Sequence, residues 1–471
     1  MNEPYNIKLN KNSDIALYQQ LSDSLYTLIS DGILQADQRL PAIRPLAKAL
    51  QVNPSTIINA YKLLENKKMV YSRKGSGTYV TDISKASRAV TKIIHKSKQE
   101  FNVKNAVNFS KTSVSENLFP VSKFKTIFNE VLERDKGKAF SYQDTQGYKP
   151  LRTAICQRLE DKGIKAKPDR IQIISGSQQG IDIVSKVLLE NNDVVFVEHL
   201  TYSGAIGAML SRNARIVQVD MENDGISIDA LKVLLTQYTP RCIYISTYYQ
   251  TPSCITYSLK KKRELLELAI KHNFYIIEED NLSDFTYCDN KPVTLKALDY
   301  KNRVIYIKSF SKILMPGLRL GYMILPKAIS ESVTNIKYST DISTSGFLQR
   351  GFEMFLKSND WERHILYMRN IFEQKHNIIV DEVKNRLSQW VAFIPPKGGL
   401  NIWVEIRDKN TDMDKLYKLM TKNNVIVIPG EMYALDNERV LAFGMSFADM
   451  ENDKITSGIQ AIATAFTEYY S

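Results

Sequence analysis

Tyr306-Ile-Lys-Ser-Phe-Ser-Lys312-Ile-Leu-Met-Pro-Gly-Leu-Arg319-Leu-Gly321-Tyr322 is the stretch on which the reading of this 471-residue chain turns. Val304 to Ile307, leading into it, is an apolar, β-branched run that reads as a short buried strand. The run stops at two small hydroxyl residues, Ser309 and Ser311, next to Lys312; Arg319 follows seven residues on, inside an apolar Leu-Arg-Leu-Gly context. A lysine that must lose its proton before attacking a carbonyl is best held at the end of a rigid strand, partly desolvated, because burial destabilises the ammonium and lowers its pKa. Two hydroxyls and a guanidinium fork nearby suit a phosphate. The string thus offers an amine for an aldehyde and a cradle for a phosphate, the two groups that pyridoxal phosphate presents.

Outward from this string, the chain from Val107 alternates apolar strands with amphipathic helices, the pattern of a mostly parallel sheet covered on both faces. At Ile171-Gln-Ile-Ile-Ser-Gly-Ser177-Gln178 a strand turns into a helix, whose free N–H groups make Ser177 and Gln178 second phosphate contacts. Phe274 to Asp280 reads as a strand ending in three acids, Glu278, Glu279 and Asp280, followed by Asn281. Three adjacent carboxylates are costly unless a cation joins them or they stay in water.

Together these strings resemble the fold-type I aminotransferases, through S-x-S-K followed by L-R-L-G at Ser309–Gly321, Y-x-x-x-x-G-x-x-x-L-R at Tyr142–Arg152 and G-G-L-x-x-W at Gly398–Trp403. The resemblance implies a mostly parallel sheet with a small C-terminal α+β domain and an imine between pyridoxal phosphate and Lys312. It implies that Ser309, Ser311, Arg319, Ser177 and Gln178 take the phosphate, and that Tyr202 stacks on the pyridine ring. It also implies that the Tyr142 segment helps form the site, often from a partner subunit. Relatives carry E-D-D-Y where this chain has Glu278-Glu279-Asp280-Asn281. Glu279, or Asp280 after a shift of one residue, therefore meets the ring nitrogen, and Asn281 stands where a tyrosine bonds the ring hydroxyl. Further departures are Tyr249 for a histidine, Cys254 for a glycine, and Ala442 for the arginine that clamps a substrate carboxylate. Either Arg439 reaches in from nearby, or the ligand is not an ordinary α- or ω-amino acid.

The N-terminal quarter is different in kind. Residues 1–108 hold 16 Lys+Arg against 8 Asp+Glu, so they carry most of the formal net charge of +12, which suggests a polyanion-binding module. Leu17, Leu21, Leu25 and Leu28 give a helical period over Ile15–Ile29, with Ser13 or Asp14 placed to cap it. A second short helix is expected over Pro45–Leu50, and a third from Pro54 to about Asn66 with Asn53 as its cap. Two short helices joined by a tight turn make a helix-turn-helix, whose second helix enters the major groove. Met69 to Val80, with Gly75 and Gly77, reads as a hairpin with a basic tip. The cluster of L-P-x-x-R, N-P-S-T-x-x-x-A-Y and R-x-G-S-G-T resembles the winged helix-turn-helix of GntR-family regulators. It implies DNA contacts from Arg44, Ser55, Thr56, Asn59 and Tyr61 and, on the wing, from Arg73, Lys74, Ser76 and Thr78. For Tyr61, core packing or a phosphate hydrogen bond competes with base readout.

The expected layout is therefore a winged helix-turn-helix over residues 14–82, a basic linker over 83–108, and an aminotransferase-like domain over 109–471. This arrangement resembles the MocR-type transcription regulators. The resemblance implies a homodimer that binds operator DNA and senses a small amine or amino-acid-like effector, or pyridoxal phosphate itself. An active aminotransferase carrying a DNA domain is the alternative. The four scattered cysteines and five histidines indicate neither a disulfide framework nor a metal site. With no run of 18 apolar residues and no signal-peptide core, a cytoplasmic protein away from membranes is expected.

Overall fold

The computed structural model describes residues 7, 9–11, 13, 15–31, 33–35, 38–66, 69–73, 76–80, 106–288, 292–435 and 438–471. They fall into two compact units, one built on the described residues up to Val80 and the other holding nearly all of the remaining described residues. Asp14, Lys74, Gly75 and linker residues 83–105 lie outside the described residues.

The first unit consists of α1 (Leu17–Ser30), α2 (Ile43–Ala49), α3 (Pro54–Asn66) and an antiparallel hairpin of β1 (Val70–Arg73) with β2 (Gly77–Val80). Its core is the stripe the periodicity picks out: Leu21, Leu25, Leu46, Ile57, Ala60 and Leu64 are buried. Helix α1 starts two residues later than expected. Ser13 accepts from the Ile15 N–H at 3.2 Å and does not cap the helix. Asn53 does act at the start of α3, accepting from the Ser55 N–H at 2.9 Å. The hairpin is pinned to the strand-like segment before α2: the Leu40 N–H donates to the Thr78 carbonyl, and the Val80 N–H to that of Gln38. Gly77 sits at φ 130°, where a Cβ would come within 2.8 Å of Arg39 Nε, so this turn needs a glycine.

In the second unit, β3 (Val107–Asn108) comes first. These two residues, read as the end of the linker, pair in parallel with a strand of the C-terminal part. A central sheet follows, made of β4 (Ile171–Ile174), β5 (Val194–Glu198), β6 (Arg215–Val219), β9 (Pro240–Ile245), β10 (Tyr275–Asp280), β11 (Val304–Ser309) and β12 (Gly321–Ile324). A small hairpin, β7 (Met221–Glu222) with β8 (Gly225–Ile226), branches off after β6. The order across the sheet is β4-β12-β11-β10-β9-β5-β6, with β12 alone running antiparallel. Every residue of β11 is buried, as expected for a strand covered on both faces. The C-terminal part carries β13 (Val391–Ala392), β14 (Asn401–Ile406), β15 (Val425–Ile426), β16 (Ile428–Pro429) and β17 (Ala442–Ser446). Four of these form a sheet ordered β13-β14-β17-β16, while β15 takes β3 as its partner. Helix Asp360–Arg386 runs into this part. No described helix is long and apolar enough to cross a membrane.

Candidate functional site

The carboxyl ends of β4, β5, β9, β10 and β11 open on one cleft of about 810 Å³, the place where an α/β sheet takes its ligand. Lys312, three residues beyond β11, lines it; its Nζ donates to the Thr112 carbonyl at 2.5 Å and to Thr112 Oγ1 at 3.0 Å. Burial pushes the Lys312 ammonium down to about 8, against the opposing pull of the Glu279 carboxylate.

A cradle surrounds the start of helix Ser177–Leu188. Arg319, in left-handed backbone at φ 49°, donates from Nη2 to the Ser175 carbonyl at 2.6 Å. Gly176 lies between them at φ 97°, and a Cβ there would come within 2.6 Å of Arg319 Nη2. A glycine is what lets the guanidinium lie over the helix start. Ser177, Gln178, Ser309 and Ser311 line the same cleft. Ser309 Oγ donates to Ser311 Oγ at 3.1 Å, and Gln178 is turned by a 2.9 Å bond from its Nε2 to the Gly204 carbonyl.

The three acids of β10 have three separate destinations. Glu278 accepts from Thr247 and from the Leu295 and Lys296 N–H groups at the start of the turn Leu295–Leu298. Asp280 accepts from Lys308 Nζ at 3.1 Å, from the Tyr306 hydroxyl at 2.5 Å and from Ser283. Burial alone pushes the Asp280 carboxyl up, but Lys308 and Lys162 more than offset it and hold it below the usual range. Glu279, between them on the opposite face, lines the cleft and accepts from the Tyr244 hydroxyl and from Asn281 Nδ2. Asp280 does not line the cleft, so of the two candidate acids the geometry presents Glu279. Asn281 Oδ1 is buried without a hydrogen-bond partner among the described residues. An orphaned acceptor, a glycine-cleared cradle and a lysine of depressed pKa fit a phosphate-bearing aldehyde. Tyr202 lines the cleft too, its phenol pushed up by burial and by Glu279.

Several cleft residues had no sequence signal. Asn108, Ser110, Lys111 and Thr112 arrive from β3, and Tyr244, Asn401, Met432 and Tyr433 complete the wall. Tyr249, in the histidine position, donates to Thr286 Oγ1 at 2.7 Å and lies against Gly398 and Gly399, which accounts for that glycine pair. Beneath the cleft, burial pushes the Glu198 carboxyl up to about 8 despite bonds from Tyr257 and Gln250. Arg439 does not reach the cleft: its Nη2 donates to the Thr411 carbonyl at 2.5 Å, and it lines a separate depression with Asp412 and Glu431. Ala442 is buried among Cys254, Trp403, Ala434 and Val440.

On the first unit, Arg44, Ser55 and Asn59 are exposed, while Thr56, Ser76 and Thr78 are half-buried. Tyr61 is 6% exposed and donates to the Pro41 carbonyl at 2.8 Å, so it serves the core and is not open for DNA. Of the wing cations, Lys74 and the side chain of Arg73 lie outside the described residues.

Residues 109–462 match aminotransferase class I and II, and residues 17–80 match the bacterial regulatory proteins of the gntR family. The HTH-type transcriptional regulator YisV of Bacillus subtilis is 25% identical over 96% of each chain. The probable rhizopine catabolism regulatory protein MocR of Rhizobium meliloti is 25% identical over 84% of this chain and 82% of its own. Among solved structures, the Pyrococcus horikoshii kynurenine aminotransferase in complex with PMP superposes with a TM-score of 0.75 at 26% identity, over 87% of this chain and 100% of that one.

Proposed function

This chain belongs to the aminotransferase class I and II family and carries a gntR-family region ahead of it, and from that premise we propose a DNA-binding transcription regulator that holds pyridoxal phosphate on Lys312. It senses a small amine, or the cofactor itself. The observation that carries the reading is a cleft lysine of depressed pKa beside a phosphate-type cradle, in a chain that also has a helix-turn-helix. In this assignment Arg319, Ser309, Ser311, Ser177 and Gln178 bind the phosphate. Tyr202 orients the ring, Glu279 holds a proton at the ring nitrogen and Asn281 meets the ring hydroxyl. When bound, the cofactor would supply an aldehyde carbon, for which Lys312 and a free primary amine would compete.

The regulator is assigned to the cytoplasm as a homodimer, with its reader over 14–82, a linker over 83–108 and the effector domain from 109 onward. An amine competing with Lys312 would favour one arrangement of the effector domain and so change the availability of the two readers. Borohydride reduction followed by peptide mass analysis tests the first half: a pyridoxyl adduct is expected on the Lys312 peptide, and its absence ends the cofactor assignment. Footprinting upstream of the protein's own gene tests the second half. The competing enzyme reading is disfavoured by Ala442, which leaves a carboxylate without its clamp, and by Arg439, which is turned away. Sustained turnover of amino acids with oxo-acids would replace the regulator-only reading.

A further inference from the structure

We infer that the ligand sensed in the cleft is a primary amine with an apolar or aromatic body and no carboxylate. The inference rests on the reading of Lys312 as the cofactor lysine and names the class of amine that competes with it.

Among the described residues lining the cleft, three carry positive charge: Lys111, Lys312 and Arg319. Lys312 is assigned to the aldehyde, and Arg319 is committed to the helix start by its bond to the Ser175 carbonyl. Lys111 is the remaining cation that this chain's described lining supplies, but its side chain is 59% exposed and stands 3.7 Å from Asp449. A hydrated, already paired ammonium gives a carboxylate little. At the end built from the C-terminal part, the lining residues are Ile428, Met432, Tyr433 and Asn401. Behind Tyr433 lies the apolar cluster of Trp403, Cys254, Val440 and Ala442, with Ala442 only 4% exposed. Burial pushes the Cys254 thiol up to about 12, so it stays neutral there.

Asn401 Oδ1 is buried with no hydrogen-bond partner among the described residues. A carboxylate brought to this end would lose its water and, among the described residues, meet no guanidinium fork. An apolar or aromatic body would bury its surface against Tyr433, Met432 and Ile428.

The test uses the full chain loaded with pyridoxal phosphate, with one aliquot reduced by borohydride to establish the adduct on Lys312. Three matched pairs are then titrated: tryptamine with tryptophan, 2-phenylethylamine with phenylalanine, and 3-methylbutylamine with leucine, compared at equal free-base concentration. Cofactor absorbance and melting temperature are both followed. Each amine is expected to reach half of its spectral change at a concentration lower by about ten-fold or more than its amino acid. Each should also raise the melting temperature further at equal concentration. Amino acids that act as well as or better than their amines overturn the inference. So does silence of all three amines on the unreduced, cofactor-loaded protein of a batch whose reduced aliquot carries the adduct on Lys312. Failure to trap any adduct on Lys312 brings down the parent reading, and this one with it, so the two failures are told apart.

Discussion

At the scale of single residues, Lys312 carries the most weight. With its ammonium pushed down to about 8, roughly one molecule in ten has the neutral amine at pH 7, against about one in a few thousand for an ordinary lysine. Uptake of pyridoxal phosphate by the apo-protein should therefore accelerate about ten-fold between pH 7 and 9 and then level off. A rate still climbing in proportion to hydroxide up to pH 10 would show an unperturbed lysine. The stability sign follows from the same shift. Between about 8 and the ordinary value the unfolded chain binds the proton and the folded one does not, so the stability contribution of Lys312 rises with pH through that window. Lys312 and Arg319 were legible in the sequence because their string is local, seven residues long from one to the other. Thr112, which holds the Lys312 amine, was not: it lies 200 residues away and belongs to no motif.

Elements decide what residues can reach. Strand β10 shows it, because alternation sends Glu278 and Asp280 to one face and Glu279 to the other. By sequence Glu279 and Asp280 both stay open, since a period of two says that neighbours differ and not which face meets the cleft. Replacing Asp280 by Asn should destabilise the protein by about 3 kcal/mol, because Lys308 is 2% exposed and would lose one of its two carboxylates. Glu279→Gln should leave the denaturation midpoint near its original value and change the absorbance of bound cofactor; the reverse pattern would exchange the two roles. Helix α3 sorts its residues in the same way. Asn59 faces solvent, and Tyr61 is anchored to Pro41. Asn59→Ala should weaken operator binding by about 1–3 kcal/mol in an anisotropy titration. Tyr61→Phe should leave DNA affinity intact and lower stability by about 1 kcal/mol through the lost hydrogen bond.

For the whole molecule, charge and symmetry make the predictions. The basic residues of the N-terminal quarter imply DNA binding that falls steeply with salt, and replacing Arg73 and Lys74 together by alanine should flatten the plot of log affinity against log salt by about 1–2. Tyr142 is 88% exposed and Phe140 68% exposed, an aromatic surface next to the segment expected at a subunit interface. Sedimentation equilibrium should therefore give twice the 53.9 kDa chain mass, and footprints should cover two half-sites spaced by about ten base pairs or a multiple. A monomer at micromolar concentration would remove the paired-reader scheme.

The sequence by itself determined that a helix-turn-helix precedes an α/β aminotransferase-type fold, and it singled out the lysine and arginine that line the cleft. Those features are written in short strings whose local chemistry needs no distant partner. Only the tertiary structure decided that Glu279 and not Asp280 meets the cleft, that Tyr61 belongs to the core, and that Arg439 does not stand in for the arginine missing at Ala442. Each of these depends on which face an element turns toward residues far along the chain, and that is settled by the packing of the whole sheet and its covering helices.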